Sequence, residues 1–143
     1  MSTEENKAIA RRWYEEGISG HNVAVLDELF APDFVNHDSG APTGDREGLK
    51  QLLAGGLSAF PDLQATIADM VAEGDKVVVR STLHGTHQGA LMGIPATGKA
   101  VAITGLYLLR FAQGKIAEAW VEQDNLGMMQ QLGVIPAPGQ APS

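Results

Sequence analysis

The chain has 143 residues, 44% hydrophobic and 19% charged, with a formal net charge of −7 and no cysteine. This length suits one domain with its own core. The lack of cysteine excludes disulfides, thiolate catalysis and cysteine-ligated metal sites. The acidic balance argues against a nucleic-acid partner, because phosphate binding needs a concentrated basic face. With no apolar run of membrane-spanning length and no export signal at the N-terminus, we expect no membrane partner and a cytoplasmic location.

The first half of the chain predicts three helices and one short extended segment. Each helix has a capping side chain at its start and a breaker after its end. The capping residues are Ser2, Asn22 and Asp45, and the breakers are Gly20, Pro32 and Pro61. Ser2 and Glu5 together form a capping-box pattern. The extended segment, 34–37, follows the second helix and leads into a loop rich in glycine and proline.

From Leu63 onward the hydrophobic period changes to two, which is typical of β-strands. The predicted strands span residues 63–72, 76–87, 99–111 and 115–124. Two short turns, 73–75 and 113–114, predict hairpins. A last short helix is predicted to end at Gly133. We therefore expect one domain over residues 1–134 and a flexible tail over 135–143.

Helices followed by strands indicate an α+β fold, in which the N-terminal helices pack on a curved, mostly antiparallel sheet. Such a sheet forms a cone-shaped α+β barrel with an open mouth. The inward face of its long strands would then offer a pocket for a small molecule.

The segment 93–100 comes close to the phosphate-binding loop pattern Gly-x4-Gly-Lys-Ser/Thr. Ala100 lacks the hydroxyl that would hold magnesium, and the residues after it favour a strand where the motif needs a helix. We therefore expect no nucleotide site.

Histidines offer a second candidate chemistry, a metal site. His84 and His87 are three residues apart on a predicted strand, so they point to opposite faces and cannot hold one ion without a bulge. With His37 far upstream, we expect no metal ligand set and no cofactor.

The last predicted strand ends on a carboxylate and has an unusually acidic face. Alternation places Ile116, Glu118, Trp120, Glu122 and Asp124 on one side. If that side lines an apolar pocket, Asp124 is a candidate acid/base group. The alternative is structural, because an aspartate at this point can cap the final helix.

Arg80 lies where a central strand would normally be apolar. It shares a face with Thr82 and His84, and an inward orientation would bring it near Asp124. The alternative makes Arg80 a solvent-facing residue or a structural partner of a glutamate on the last strand.

Three segments, 77–89, 93–99 and 110–124, resemble the SnoaL-like ester or polyketide cyclases, which have the nuclear-transport-factor-2-like cone fold. The resemblance covers nearly the whole chain. It implies a cofactor-free enzyme that closes the last ring of an aromatic polyketide by intramolecular aldol condensation. It also implies that an acidic residue on the last strand is the general acid/base, a position that Asp124 matches.

The resemblance and the strand pattern together give the predicted site. Its catalytic residues are Asp124, Arg80 and His84. The residues expected to contact a small hydrophobic carbonyl ligand are Trp120, His37, Trp13, Tyr14, Glu122, Met92 and Tyr107. His37 and Asp38 are expected at the pocket mouth.

Other functions of the same fold stay open. An isomerase could use Tyr14 and Asp38 with a late acid, and an epoxide hydrolase is disfavoured by Thr82, where a second acid would be wanted. A dehydratase and a noncatalytic small-ligand binding domain are further alternatives. If side chains fill the cone, the chain would instead be a structural dimerisation module.

We also expect a homodimer, because the resemblance implies pairing through the outer face of the sheet. The residues predicted to supply that face are Val79, Ser81, Leu83, Ala119 and Val121.

Overall fold

Four α-helices and five β-strands make up the part of the chain that the structure, a computed structural model, describes: residues 2–38, 40–136 and 139. The helices are α1 (Thr3–Arg12), α2 (Leu26–Leu29), α3 (Arg46–Ala59) and α4 (Asn125–Leu132). The strands are β1 (Phe30–Asn36), β2 (Gln64–Glu73), β3 (Lys76–Thr86), β4 (Ala100–Ala112) and β5 (Lys115–Gln123). A π-helical stretch, Trp13–Ser19, continues α1, and a 3₁₀ turn, Val23–Val25, leads into α2. Most of the predicted tail, 137–138 and 140–143, lies outside the described residues, so the domain boundary at residue 134 stays a prediction.

The predicted helix starts are confirmed by their hydrogen bonds. The side chains of Ser2, Asn22 and Asp45 each accept a hydrogen bond from the backbone N–H three residues further on. The Glu5 side chain accepts from the Ser2 N–H at 3.2 Å, which completes the capping box. At the other end of the chain, α4 ends at Gly133 with a φ of 79°, a conformation that glycine adopts without steric cost. None of the described helices is long and apolar enough to cross a membrane.

The second helix is shorter than its sequence predicts. We expected it to include Phe30 and to stop at Pro32, but α2 ends at Leu29 and β1 already begins at Phe30. Pro32 therefore lies inside a strand. This is tolerated because β1 is the edge strand of the sheet and one side of its backbone needs no partner.

The five strands form one mixed sheet in the order β1-β5-β4-β3-β2. The pairs β2–β3, β3–β4 and β4–β5 are antiparallel, whereas β1 runs parallel to β5. The sheet is not closed into a barrel, and the N-terminal helices cover one of its faces. The predicted α+β fold is confirmed, and each of the four predicted strands matches within one residue at either end.

We call the helix-covered side of the sheet the inner face and the opposite side the outer face. Val77 and Val79 of β3 are fully buried on the inner face, where Leu26, Phe30 and other helix and β1 side chains pack against them. Burial of this apolar surface is the main stabilising contribution to the fold.

A β-bulge in β5 reverses the predicted faces of that strand. Arg110 pairs with Glu118 while Phe111 pairs with Ile116, so Ala117 is an extra residue without a partner. Ile116 is consequently buried on the inner face, and Glu118 points to the outer face. The resemblance implied that Trp120 and Asp124 face the interior, and this orientation is wrong, because the bulge places Ala119 and Val121 there instead.

The face assignment of the predicted dimer surface is wrong as well, although β3 pairs with β4 without a bulge. Val79 and Ser81 are 0% and 2% exposed, which places them on the inner face together with Ala119. Of the two alternating sets of side chains in β3, the more apolar one packs against the helices. Arg80 and His84 are exposed on the outer face, so the solvent-facing alternative for Arg80 holds.

Candidate active site

A cluster of polar side chains lies on the inner face of the sheet. Tyr14 extends from the π-helical stretch, Ser81 from β3, Tyr107 from β4 and Gln123 from β5. The rings of Tyr14 and Tyr107 meet edge to face with 5.8 Å between their centroids. The Tyr107 hydroxyl donates a hydrogen bond to Gln123 Oε1 at 2.7 Å. We call these four side chains the phenol cluster.

Tyr14 reaches the cluster from an uncommon backbone geometry. π-Helical turns are rare and are frequently found at functional sites. Here the stretch buries Trp13, Tyr14 and Gly17 together. Gly17 is required because the Trp13 ring occupies the space that a Cβ at this position would need.

Two hydroxyls of the phenol cluster have no partner. Among the described residues, Tyr14 Oη and Ser81 Oγ are buried without a hydrogen bond, as is Asn6 Oδ1 on the buried face of α1. Folded proteins satisfy nearly all buried polar groups, and one left unpaired costs about 1–3 kcal/mol. A ligand that hydrogen-bonds to these hydroxyls would remove that cost, which makes the cluster the strongest candidate for a binding site.

Burial keeps both phenols protonated. It raises the pKa of Tyr14 well above its usual value, Tyr107 adds to the rise, and the nearby Ser81 hydroxyl opposes it. Burial likewise raises the pKa of Tyr107 to about 12, with Ser81 opposing and the negative charge of Asp38 adding. Ser81 lies near both phenols but forms no hydrogen bond of standard geometry with either. At neutral pH both tyrosines are therefore neutral donors, which suits them to stabilise an oxyanion.

Gly105 sets the direction of the Tyr107 side chain. The two residues are on the same face of β4, and a Cβ at position 105 would lie only 2.9 Å from Tyr107 Oη. The ring therefore lies across Gly105, which pairs with Gln123 in the sheet. This brings the phenol hydroxyl to the Gln123 side chain.

The outer face carries a separate cluster around Trp120. The His37 ring stacks on Trp120 with 4.9 Å between centroids and an interplanar angle of 11°. His37 Nε2 lies 2.7 Å from Glu118 Oε2, and Arg110 Nε donates to Glu118 Oε1 at 2.9 Å. These partners, His37 first, lower the pKa of Glu118. Trp120 and His37, predicted to contact the ligand, thus lie on the opposite side of the sheet from the phenol cluster.

The other predicted residues of the outer face are also apart from the phenol cluster. Arg80 Nη2 donates to Asp69 Oδ2 at 3.0 Å, so its partner is not a glutamate of β5. His84 and Glu122 are exposed. Met92, in the loop between β3 and β4, is 69% exposed.

Asp124 caps α4. Its side chain accepts a hydrogen bond from the Gly127 N–H at 2.9 Å, and the residue is exposed. The capping alternative for this residue is therefore realised, while its predicted acid/base role stays a prediction.

Replacing Asp124 by alanine should lower the free energy of unfolding by about 1 kcal/mol, because the first turn of α4 loses its cap. Asp124→Asn keeps an acceptor oxygen and should leave stability nearly unchanged. Urea denaturation of both variants measures this difference. Equal stability of the alanine and asparagine variants would contradict the capping role.

A metal site finds no support in the described residues. No group of three or more His, Asp or Glu side chains there lies close enough together to hold an ion. His84 is exposed whereas His87 is fully buried, so the two do point to opposite faces. His87 Nδ1 accepts from the Thr97 N–H at 3.2 Å and holds the loop before β4. That loop includes the glycine-rich segment, which leads into a strand as expected.

Comparison with known proteins shows the family. The profile of the SnoaL-like polyketide cyclases matches residues 8–132. This chain belongs to that family. Nogalonic acid methyl ester cyclase from Streptomyces nogalater is 29% identical over 113 residues, covering 76% of this chain and 83% of the relative. The structure of wild-type IdmH from Streptomyces antibioticus matches with a TM-score of 0.77 and 36% identity, covering 89% of this chain and 97% of IdmH.

A second curated relative matches over a shorter stretch. Aklanonic acid methyl ester cyclase DnrD from Streptomyces peucetius is 38% identical over 60 residues, which is 42% of this chain and 41% of DnrD. The chain therefore spans about two fifths of that relative. The SnoaL-like assignment and the fold, which is of the nuclear-transport-factor-2-like type, confirm the resemblance seen in the sequence.

In this SnoaL-like chain only part of the predicted site comes together. Tyr14 and Tyr107 meet in the phenol cluster. Trp13 lies in the adjoining core, with its ring 5.2 Å from that of Phe30. Two members of the cluster, Ser81 and Gln123, were not predicted as site residues.

The sequence carried a signal for one of the missed residues. Ser81 follows Val77 and Val79 in the apolar phase of β3, where a small polar residue is unusual. Gln123 had no comparable signal, because the bulge at Ala117 changes the phase of β5.

Proposed function

We propose that this chain closes a carbon ring by an intramolecular aldol reaction on a small hydrophobic carbonyl compound, without a cofactor. Two facts support the proposal. The chain belongs to the SnoaL-like polyketide cyclases, and a relative alignable over most of its length is named as a methyl ester cyclase. The described interior also contains neutral hydroxyl donors in an apolar surrounding.

The chemistry needs three groups. A base removes a proton from a carbon flanked by two carbonyls, and hydrogen-bond donors hold the resulting enolate. The enolate carbon then attacks a second carbonyl of the same molecule, and the new alkoxide takes up the proton. Tyr14 and Ser81 are the first donors in this proposal, and Tyr107 joins them when its hydroxyl exchanges Gln123 Oε1 for the enolate oxygen. Asp124 remains the sequence-based prediction for the base.

The single observation that carries the proposal is the pair of buried hydroxyls, Tyr14 Oη and Ser81 Oγ, which lie near each other but have no hydrogen bond of standard geometry. An enolate oxygen accepts hydrogen bonds strongly, and charged acceptors form the stronger bonds. A substrate that develops negative charge at this point would therefore gain more from the cluster than its neutral ground state does, which is what catalysis requires.

The test is an incubation of the purified protein with a linear polyketide methyl ester that has a methylene between two carbonyls and a ketone within ring-closing distance. We expect an isomer of unchanged mass with one ketone converted to an alcohol, and the same rate after treatment with EDTA. Mass spectrometry and NMR identify the product. Ring closure no faster than in buffer, across a panel of such esters, would contradict the proposal.

The alternative functions predict different outcomes of the same incubation. A noncatalytic binder would hold the ester without consuming it. An isomerase would move a double bond and form no ring, a dehydratase would lower the mass by one water, and an epoxide hydrolase would leave the ester unchanged. The phenol cluster suits any reaction through an enolate, and the family match is what favours the cyclase.

We also propose that the chain forms a homodimer through the outer face of the sheet. The exposed apolar side chains of that face are Val35, Val71 and Leu106. They are accompanied by the ion pairs of Arg80 and Arg110, so the face has both charge signs and can complement a second copy. Light scattering should give twice the chain mass, and Leu106→Glu should give the monomer. A monomer at micromolar concentration would contradict this surface.

The cytoplasmic location and the absence of a cofactor stay predictions.

A further inference from the structure

The inner face of β5 carries no carboxylate. Ala119, Val121 and Gln123 are the residues that the register places on it after the bulge. Glu118 faces outward and Asp124 caps α4. A base for the proposed reaction has therefore to come from another element.

Asp38 is the second residue after β1, beside β5. Asn36 is opposite Ala119 in the parallel pair, and the His37 N–H donates to Ala119 O at 2.9 Å. His37 turns its ring to the outer face, where it stacks on Trp120. The alternation of β1, continued past its end at Asn36 through His37, would place the Asp38 side chain on the inner face.

Neighbouring groups hold the Asp38 carboxylate in place. The Asp38 N–H donates to Oδ1 of the buried Asn36 at 3.0 Å, and Asp38 Oδ1 accepts from the Gly40 N–H at 2.9 Å. The residue is half-buried. Its negative charge acts on the Tyr107 hydroxyl, whose pKa it raises. The carboxylate is therefore near enough to Tyr107 for its charge to act on the phenol.

We propose that Asp38 is the general base of this chain. This inference rests on the proposed function. An Asp38 oxygen takes the proton from the carbon between the two carbonyls, and the electron pair of that C–H bond becomes the enolate held by the phenol cluster. The enolate carbon forms the new C–C bond, the attacked carbonyl becomes an alkoxide, and the protonated Asp38 returns its proton to that oxygen. The carboxylate is regenerated, and no oxidant, reductant or cofactor is needed.

The test compares three variants in the ring-closing assay. Asp38→Asn keeps the acceptor for Gly40 but cannot take up a proton, so kcat should fall by about 10²–10⁴-fold while KM changes little. Asp33→Asn, an exposed carboxylate on β1, is the matched control and should keep the wild-type kcat. Asp124→Asn tests the competing assignment. Should Asp38→Asn fail to fold by circular dichroism, Asp38→Glu, which keeps the carboxyl group but displaces it, should retain a measurable but reduced kcat.

The outcomes separate this inference from the function on which it rests. Ring closure by the wild-type protein with an unchanged kcat in Asp38→Asn, or in both Asp38 variants, overturns the role of Asp38 and leaves the cyclase in place. Loss of kcat in Asp124→Asn alone also overturns the role of Asp38 and leaves the cyclase in place. The base would then be Asp124. No ring closure by the wild-type protein overturns both.

Discussion

Tyr107→Phe should lower kcat for ring closure by about 10²–10³-fold, the effect of removing one preorganised donor to a developing oxyanion. Gly105 lets the ring lie across the strand, and the hydroxyl, which donates to Gln123 Oε1 at 2.7 Å, exchanges that hydrogen bond for one to the enolate oxygen when it acts as the donor. Steady-state kinetics with the polyketide ester measures the effect. KM should change less than kcat, because the donor acts mainly on the charged intermediate.

A matched control for this change is Thr104→Val, which also removes one hydroxyl from β4 but at an exposed position of the outer face. It should leave kcat at the wild-type value. If Tyr107→Phe and Thr104→Val have equal rates, the Tyr107 hydroxyl does not take part in the reaction.

The largest loss of stability is expected from Phe30→Ala. Phe30 is 1% exposed, and its ring meets those of Trp13 and Phe34 edge to face at 5.2 Å and 4.9 Å. Deleting a buried aromatic ring leaves a cavity and costs about 3–5 kcal/mol. Urea or thermal denaturation gives the change in unfolding free energy. Asp33→Ala, on the same strand but exposed, should change it by less than about 0.5 kcal/mol. Similar losses in the two variants would show that β1 does not anchor this aromatic core.

Local patterns in the sequence were enough to predict the fold. Helix caps such as Ser2 and Asp45 act on backbone groups within a few residues, and the period of two in β3 follows from the geometry of a strand. Both are therefore readable without knowledge of the tertiary structure. The α2–β1 junction was misplaced because the edge position of β1, which tolerates Pro32, is set by the order of the strands and not by local sequence.

The site was harder to predict because it depends on which face of each strand turns inward. The extra residue at the bulge, Ala117, moves every later side chain of β5 to the opposite face. Ala119 and Val121 therefore lie on the inner face, and Trp120 lies on the outer face. The sequence around Ala117 contains no residue pattern that predicts a bulge at this position. For β3 the inward face could have been predicted from the sequence, because Val77 and Val79 share one face and Arg80 lies on the other.

The chain offers a direct probe of the phenol cluster, since Tyr14 and Tyr107 are its two tyrosines. Labelling the tyrosine ring Cζ atoms with ¹³C thus gives two NMR signals, both from the cluster. We predict that neither phenol ionises near pH 10, because the pKa of Tyr107 is raised to about 12 and that of Tyr14 also lies well above its usual value. We also predict that a cyclic 1,3-diketone, an analogue of the enolate intermediate, shifts both signals as it binds. A phenol that titrates as a free tyrosine does, or an analogue that binds without moving either signal, would contradict the placement of the reaction in this cluster.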